Sequence, residues 1–132
     1  MGSEMILGVT GSRDGGGFKR QGKFFQFLCN NNVSGLHHGD CIGWDEECHE
    51  ICAHYGIKIV MYPPIEDRYR AFCKGGDRMP PKPYLDRNKD IVNAVDFLIA
   101  APDGPERQRS GTWSTVRYAK KVGVKGVVWM PQ

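Results

Sequence analysis

Apolar residues along the chain fall in blocks that switch between strand-like runs and helix-like stripes. Residues 4–10 (EMILGVT) form an apolar run closed by Gly11, which predicts a buried first strand. Phe24, Phe27 and Leu28 recur at helical spacing and predict a helix over 19–30, followed by a weaker strand over 34–38. Trp44, Cys48, Ile51, Cys52 and Tyr55 line one face of a helix, the clearest stripe in the chain. Asp45, Glu46 and Glu47 suit its first turn, and Gly56 its end. Strands at 57–62, 95–100 and 124–130 and helices at 85–94 and 111–122 complete the pattern. Between them, residues 63–84 hold five of the eight prolines and keep no period, which predicts a functional lid or a mobile loop.

Strands that alternate with helices predict an α/β chain: a Rossmann-like, doubly wound parallel sheet of about five strands with helices on both faces. The continuous apolar runs at 95–100 and 124–130 suit strands buried on both sides. With 132 residues, positions 1–132 make one domain. Hydrophobic residues at 40% and charged residues at 25% exclude wholesale disorder. The net charge of +3 is too small to argue for nucleic acid, so a DNA partner is not expected. No apolar run is long enough for a membrane span, and Met1-Gly2 is followed by Ile6 where a myristoylation motif wants Ser or Thr. Five scattered cysteines suit reduced thiols and a cytoplasmic location.

Ligands of such sheets bind beyond the carboxyl ends of the strands, so those turns are where chemistry is sought. After the first strand, Gly11, Ser12 and Arg13 precede a run of glycines, a turn through which a backbone can approach an anion. After the second come Asp40 and, in an acidic helix start, Asp45, which suits a sugar hydroxyl or merely complements the helix dipole. Cys41, Cys48, His49, Cys52 and His54 crowd together. Cys48 and Cys52 lie on the apolar stripe, however, so core packing is expected and no metal. Arg87 and Asn88 open the third helix, where a solvated face is the ordinary reading. After the fourth strand, Glu106, Arg107 and Arg109 lead into Ser110-Gly111-Thr112. Arginine, small hydroxyls and free helix-start N–H groups there form a credible phosphate cradle. Trp44 and Trp113 are expected in the core, with a base-facing role as the alternative.

Taken together, G-S-R, H-G-D-C-I-G-W-D, D-R-N-K and R-S-G-T-W-S-T, in order at successive strand ends, resemble the SLOG superfamily. That Rossmann-like group includes Lonely Guy enzymes, DprA and YspA-like proteins, and the likeness covers nearly the whole chain. The resemblance implies binding of a nucleotide or nucleotide-derived ligand, with N-glycosidic cleavage of a nucleoside 5′-monophosphate as its catalytic form. It also implies self-association into a homo-oligomer, and no separate cofactor. The Lonely Guy arginine falls on Arg87 and its Gly-Thr on Gly111-Thr112, whereas its glutamate falls on Thr115, which cannot serve as a carboxylate. The candidate carboxylates left for such chemistry are Glu106, Asp40 and Asp45; Arg87, Glu106 and Asp40 are the expected catalytic set, and nucleotide contacts are expected from Gly11, Ser12, Arg13, Asp45, Asn88, Arg109, Ser110, Gly111 and Thr112. The departure at Thr115 favours a rival, a non-catalytic sensor or sequestering protein. Binding of single-stranded DNA is the second rival.

Overall fold

The structure, a computed structural model, describes residues 3–131; Met1, Gly2 and Gln132, and with them the N-terminal lipidation pattern, lie outside the described residues. In chain order the elements are β1 (Met5–Gly11), α1 (Gly17–Asn30), β2 (Val33–His38), α2 (Trp44–His54), β3 (Lys58–Met61), β4 (Asp77–Arg78), α3 (Tyr84–Ala94), β5 (Phe97–Ala101), α4 (Gly111–Val122) and β6 (Lys125–Val128). The strands form one sheet in the order β4-β3-β2-β1-β5-β6, and every pairing is parallel. The chain winds outward from β1 to β4, then returns to the other side of β1 to lay down β5 and β6. That reversal makes the β1–β5 boundary the topological switch point. Among the described residues, no helix is long and apolar enough to cross a membrane.

Alternate residues of the central strands feed two separate cores, as a parallel sheet covered on both faces requires. Leu7, Val9, Leu36, Ile59 and Ile99 pack with Phe24, Trp44, Cys48 and Cys52 from α1 and α2. On the opposite face, Ile91 and Val92 from α3, Val95 just beyond it, and Trp113, Val116 and Ala119 from α4 meet Leu98 and Ala100. Gly8 lies beneath α3, where an added Cβ would come within 3.0 Å of Val95. The two tryptophans expected in the core are there: Trp44 is fully buried and Trp113 nearly so.

Two expectations change. Residues 124–130 read as a strand buried on both faces, but β6 is the sheet's edge, with Lys125, Gly126 and Val127 exposed. An apolar run alone does not distinguish a central strand from an edge strand covered on one side by a helix. The stretch 63–84 is more ordered than its composition suggests. It contributes β4, a sixth strand of two residues, and isolated bridges join Cys41 to Arg70 and Pro64 to Lys82. Asp40 anchors it. Its buried carboxylate accepts from Arg70 Nε and from the Cys73 N–H, each at 2.9 Å, and its carbonyl accepts from Ala71 N–H at 2.8 Å.

Candidate functional site

The loops beyond β1, β3 and β5 converge with the N-termini of α3 and α4 around an open cleft of about 720 Å³. Arg13, Tyr69, Tyr84, Arg109, Ser110 and Gly111 line it, a size within the roughly 300–1,000 Å³ usual for small-molecule sites. A hollow of about 80 Å³ continues beneath it, between Gly11, Ser12, Arg13, Arg109, Ser110 and Thr112. The site thus sits at the switch point.

The α4 end of the cleft gathers groups of the kind that attract an anion. Ser110 caps the helix, its Oγ accepting from Trp113 N–H at 3.2 Å. The N–H groups of Gly111 and Thr112 have no acceptor inside the helix, and the first turn carries no acidic residue. Arg109 is exposed at its mouth. Across the cleft, the Arg13 guanidinium stacks on the Tyr69 ring at 3.8 Å, which holds the cation in place while leaving it at the surface. Arg107 is instead paired with Asp103 at 2.8 Å.

The glycine turn after β1 serves packing more than the cleft. Gly11 and Gly16 lie against Trp44: a Cβ at either would sit 2.5–2.6 Å from its ring atoms. Four of the turn's N–H groups, those of Ser12, Asp14, Gly15 and Gly16, are also engaged. Gly16 N–H donates to Glu47 Oε1 at 2.7 Å, Ser12 N–H to the Ala101 carbonyl, and Asp14 N–H to Ser12 Oγ. The close approach that glycine permits is the approach of a tryptophan.

Arg87 and Asn88 are not on a solvated face. Arg87 is 3% exposed and lies beneath the cleft. It donates to the carbonyls of Gly39 and Tyr62, to Asn88 Oδ1 at 2.6 Å and to Cys41 Sγ at 3.3 Å, while its guanidinium lies 4.6 Å from the Tyr84 ring. Sequence periodicity misses this, because a buried arginine that satisfies carbonyls on other elements leaves no apolar signal. The same holds for Arg20 of α1, whose guanidinium donates to Gly16, Pro102 and Trp129 carbonyls and ties three loops together.

The three candidate carboxylates have separate surroundings. Glu106 is exposed and pairs with Arg117 at 3.0 Å. Asp40 is fully buried and engaged by Arg70 and Cys73. Asp45 turns inward from the start of α2 and is 6% exposed. Its Oδ2 accepts from Gly39 and Cys41 N–H groups, and its Oδ1 has no partner. Burial pushes the Asp45 carboxyl up to about 6, against the pull of Arg87. Glu106, Arg87 and Asp40 therefore do not share one space, whereas Asp45, Arg87, Asn88, Thr112 and Thr115 line a common chamber.

Among the described residues, His38, His49 and Cys73 bring three possible metal-ligand atoms within 4.8 Å. Their hydrogen bonds decide the chemistry. His38 Nδ1 accepts from Asp40 N–H, so its proton lies on Nε2 and is donated to His49 Nδ1 at 2.9 Å. His49 Nε2 in turn donates to the Lys74 carbonyl at 2.8 Å. Burial depresses the His38 imidazole to about 3, which keeps it neutral, and the Cys73 thiol is raised by burial and by its bond to Asp40. A metal on His38 Nε2 would require an imidazolate or the loss of the Asp40 contact. The cluster is a hydrogen-bonded relay that pins β2, α2 and the loop before β4. Cys48 and Cys52, in the other cluster considered, are core residues as expected.

No protein-family model matches the chain, and no curated protein matches it. Solved structures do match its fold. The molybdenum cofactor binding protein from the phototrophic bacterium Rippkaea orientalis superposes with a TM-score of 0.73 at 18% identity, covering 98% of this chain and 78% of that one. DNA processing protein A (DprA) of Streptococcus pneumoniae gives 0.69 at 20% identity, covering 93% of this chain and 49% of that one. DprA of Helicobacter pylori, described by its single-stranded DNA binding mode, gives 0.68 at 20% identity, covering 97% and 66%. These likenesses show the fold: the Rossmann-like parallel sheet that the sequence resemblance implied is the fold of this chain.

Proposed function

We propose that this chain binds a phosphate-bearing nucleotide or nucleotide-derived ligand in the cleft at the switch point, with the phosphate on the first turn of α4. The observation that carries the reading is the meeting of unpaired helix N–H groups at Gly111 and Thr112 with the surface cations Arg13 and Arg109 in one cleft. Ser110, Ser12 and Gly11 shape the floor, and the rings of Tyr69 and Tyr84 offer faces for a base or another planar group. A neighbour that binds the molybdenum cofactor adds that cofactor to the ligands worth testing. The test is calorimetry with nucleoside monophosphates, cyclic nucleotides and the molybdenum cofactor, each followed by chromatography of the mixture. Micromolar binding that is lost on adding competing phosphate supports the reading, and no binding across the panel sinks it. Released base would make the protein an N-glycosidase. Intact ligand would make it a sensor or sequestering protein, the outcome favoured by Thr115.

One observation supports single-stranded DNA as a second reading. Residues 68–72 interleave cations and rings, with Arg68 against Tyr69 at 5.0 Å and Arg70 against Phe72 at 4.4 Å. Oligonucleotide affinity that falls steeply with salt would promote it over the nucleotide reading. Self-association belongs to the same proposal. Exposed Phe18, Phe25 and Tyr55 supply an apolar patch for it, and light scattering reads the outcome.

A further inference from the structure

Behind the cleft lies the small chamber of about 20 Å³ that Asp45, Arg87, Asn88, Thr112 and Thr115 enclose. That is room for about one water and no more. Tyr84 and Gly111 line both spaces, and the Tyr84 ring is the side chain between them. Its ring rests on Gly111, where an added Cβ would come 2.9 Å from a ring carbon, and its side chain lies beside the Cys41 thiol. One face of the ring is backed by the Arg87 guanidinium. Gly111 is therefore the position at which the phosphate cradle and the Tyr84 ring touch.

Inside the chamber one acceptor goes unmatched. Asp45 Oδ2 is satisfied by two backbone N–H groups, yet Oδ1 is buried with no donor. Arg87 does not supply one, because its donors are directed at the Gly39 and Tyr62 carbonyls, Asn88 and Cys41. The Thr115 hydroxyl does not either, since it donates to the Gly111 carbonyl at 2.8 Å. A buried acceptor left open beside an anion cradle is arranged for a donor that arrives with the ligand.

We infer that Asp45 Oδ1 accepts a sugar hydroxyl of the bound ligand, admitted when Tyr84 swings off Gly111, so that the site selects ribose phosphates over their deoxy counterparts. The inference rests on the proposed phosphate site at α4 and names the part of the ligand that site would hold deeper in the fold. A hydroxyl-rich sugar joined to a phosphate spans the two features: the phosphate stays on Gly111 and Thr112, and the hydroxyl reaches the carboxylate beyond them. A ligand whose sugar lacks the hydroxyls would bind with Oδ1 still unpaired, and its affinity would fall accordingly.

The test compares AMP with its 2′-deoxy, 3′-deoxy and 2′,3′-dideoxy forms by calorimetry on the wild type, Asp45→Asn and Tyr84→Phe. The expected result is a preference of at least tenfold for AMP over the dideoxy form in the wild type. The 2′- and 3′-deoxy forms identify the hydroxyl responsible. Asp45→Asn keeps an acceptor for Gly39 and Cys41 but turns an amide donor toward the chamber, so the preference should shrink at least fivefold, chiefly through weaker AMP binding. Tyr84→Phe removes the hydroxyl that sits beside the Cys41 thiol and should speed association severalfold in stopped-flow mixing while the preference stays. Equal binding of AMP and the dideoxy form by the wild type overturns this inference and leaves the phosphate site standing. Failure to bind any of the four overturns both. A preference unchanged in a folded Asp45→Asn variant removes Asp45 from the role, and an unchanged association rate in Tyr84→Phe removes the swing of Tyr84.

Discussion

Arg20 and Arg87 differ from Arg13 and Arg109 in one respect that decides what each can do: where their donors point. The first two are buried, and their guanidinium groups are consumed by main-chain carbonyls from several loops. The second two stand exposed at the cleft, one steadied on a tyrosine ring and neither bonded to a carboxylate among the described residues. Arg13, Arg87 and Arg109 all stand among the sequence's candidates for a ligand contact, and Arg20, inside α1, does not. Counting acceptors separates them: a guanidinium that has found its carbonyls holds the scaffold, and one that has not is free for a ligand. This is why Arg87 acts beneath the cleft as support for Gly39, Tyr62 and Tyr84.

The largest expected effect is on stability. Arg20→Met and Arg87→Met each leave buried carbonyls without donors, and loss of about 3–5 kcal/mol is expected from removing such a buried charged partner. Urea unfolding measures it. A loss under about 1 kcal/mol for Arg87→Met would break the distinction between scaffold and cleft arginines.

Asp45 gives the next effect, with a sign that pH reveals. Its folded-state value of about 6 lies above the ordinary 3.8, so the folded protein holds this proton more tightly than the unfolded chain. Above pH 6 the carboxylate is ionised in both states and its burial is a penalty, which fades as pH falls from 6 toward 3.8. Asp45→Asn should therefore stabilise the protein at pH 8 by about 1–3 kcal/mol, because each pH unit between the two values contributes about 1.36 kcal/mol. The gain should be smaller at pH 4.5. His38, depressed to about 3, destabilises the fold in acid as pH drops below 6.5, but it is present in both proteins and cancels. Denaturant melts of the pair at the two pH values check this. A gain that does not depend on pH would show that Oδ1 already has a donor.

At the cleft the expected changes move from stability to affinity. Arg109→Ala should weaken AMP binding about tenfold, or about 1.4 kcal/mol, through loss of a charge-assisted contact, with stability altered by less than about 0.5 kcal/mol. Calorimetry together with thermal melting separates the two readouts. Unchanged affinity would move the phosphate away from the α4 end of the cleft.

How far all this is legible in the sequence follows from the same distinction. Periodic signals report apolar burial, so the Trp44-Cys48-Cys52 stripe, the alternation of strands and helices, and both core tryptophans can be read directly. The Ser110 cap is also legible, as a small hydroxyl residue before a helical stripe. Polar burial leaves no period. Arg20, Arg87, Asp40 and Asp45 look like surface residues in sequence, and only the placement of carbonyls and N–H groups from distant elements shows them satisfied or, for Asp45 Oδ1, unsatisfied. The stretch 63–84 is obscure for a related reason. Its order comes from a carboxylate at Asp40 and a two-residue strand, not from its own hydrophobicity. The glycines after β1 carry a true signal of close approach but not the identity of the group approached, which is Trp44.

The smallest expected effect belongs to Glu106, and it sharpens the comparison from the carboxylate side. Glu106 pairs with Arg117 at 3.0 Å where both side chains are about half exposed, with side-chain accessibilities of 52% and 40%. Such pairs are screened by solvent and contribute about 0.2–1 kcal/mol at most. Glu106 also falls outside the residues that line the cleft, the hollow below it and the chamber. Glu106→Gln should therefore leave AMP affinity within about twofold of wild type and stability within about 0.5 kcal/mol. The measurement is the same calorimetry and melting, repeated in high salt, where wild type and variant should converge. If the wild type releases base and Glu106→Gln abolishes it, the loop before α4 must fold inward on ligand binding. The reacting carboxylate would then be Glu106 and not one already buried behind Tyr84.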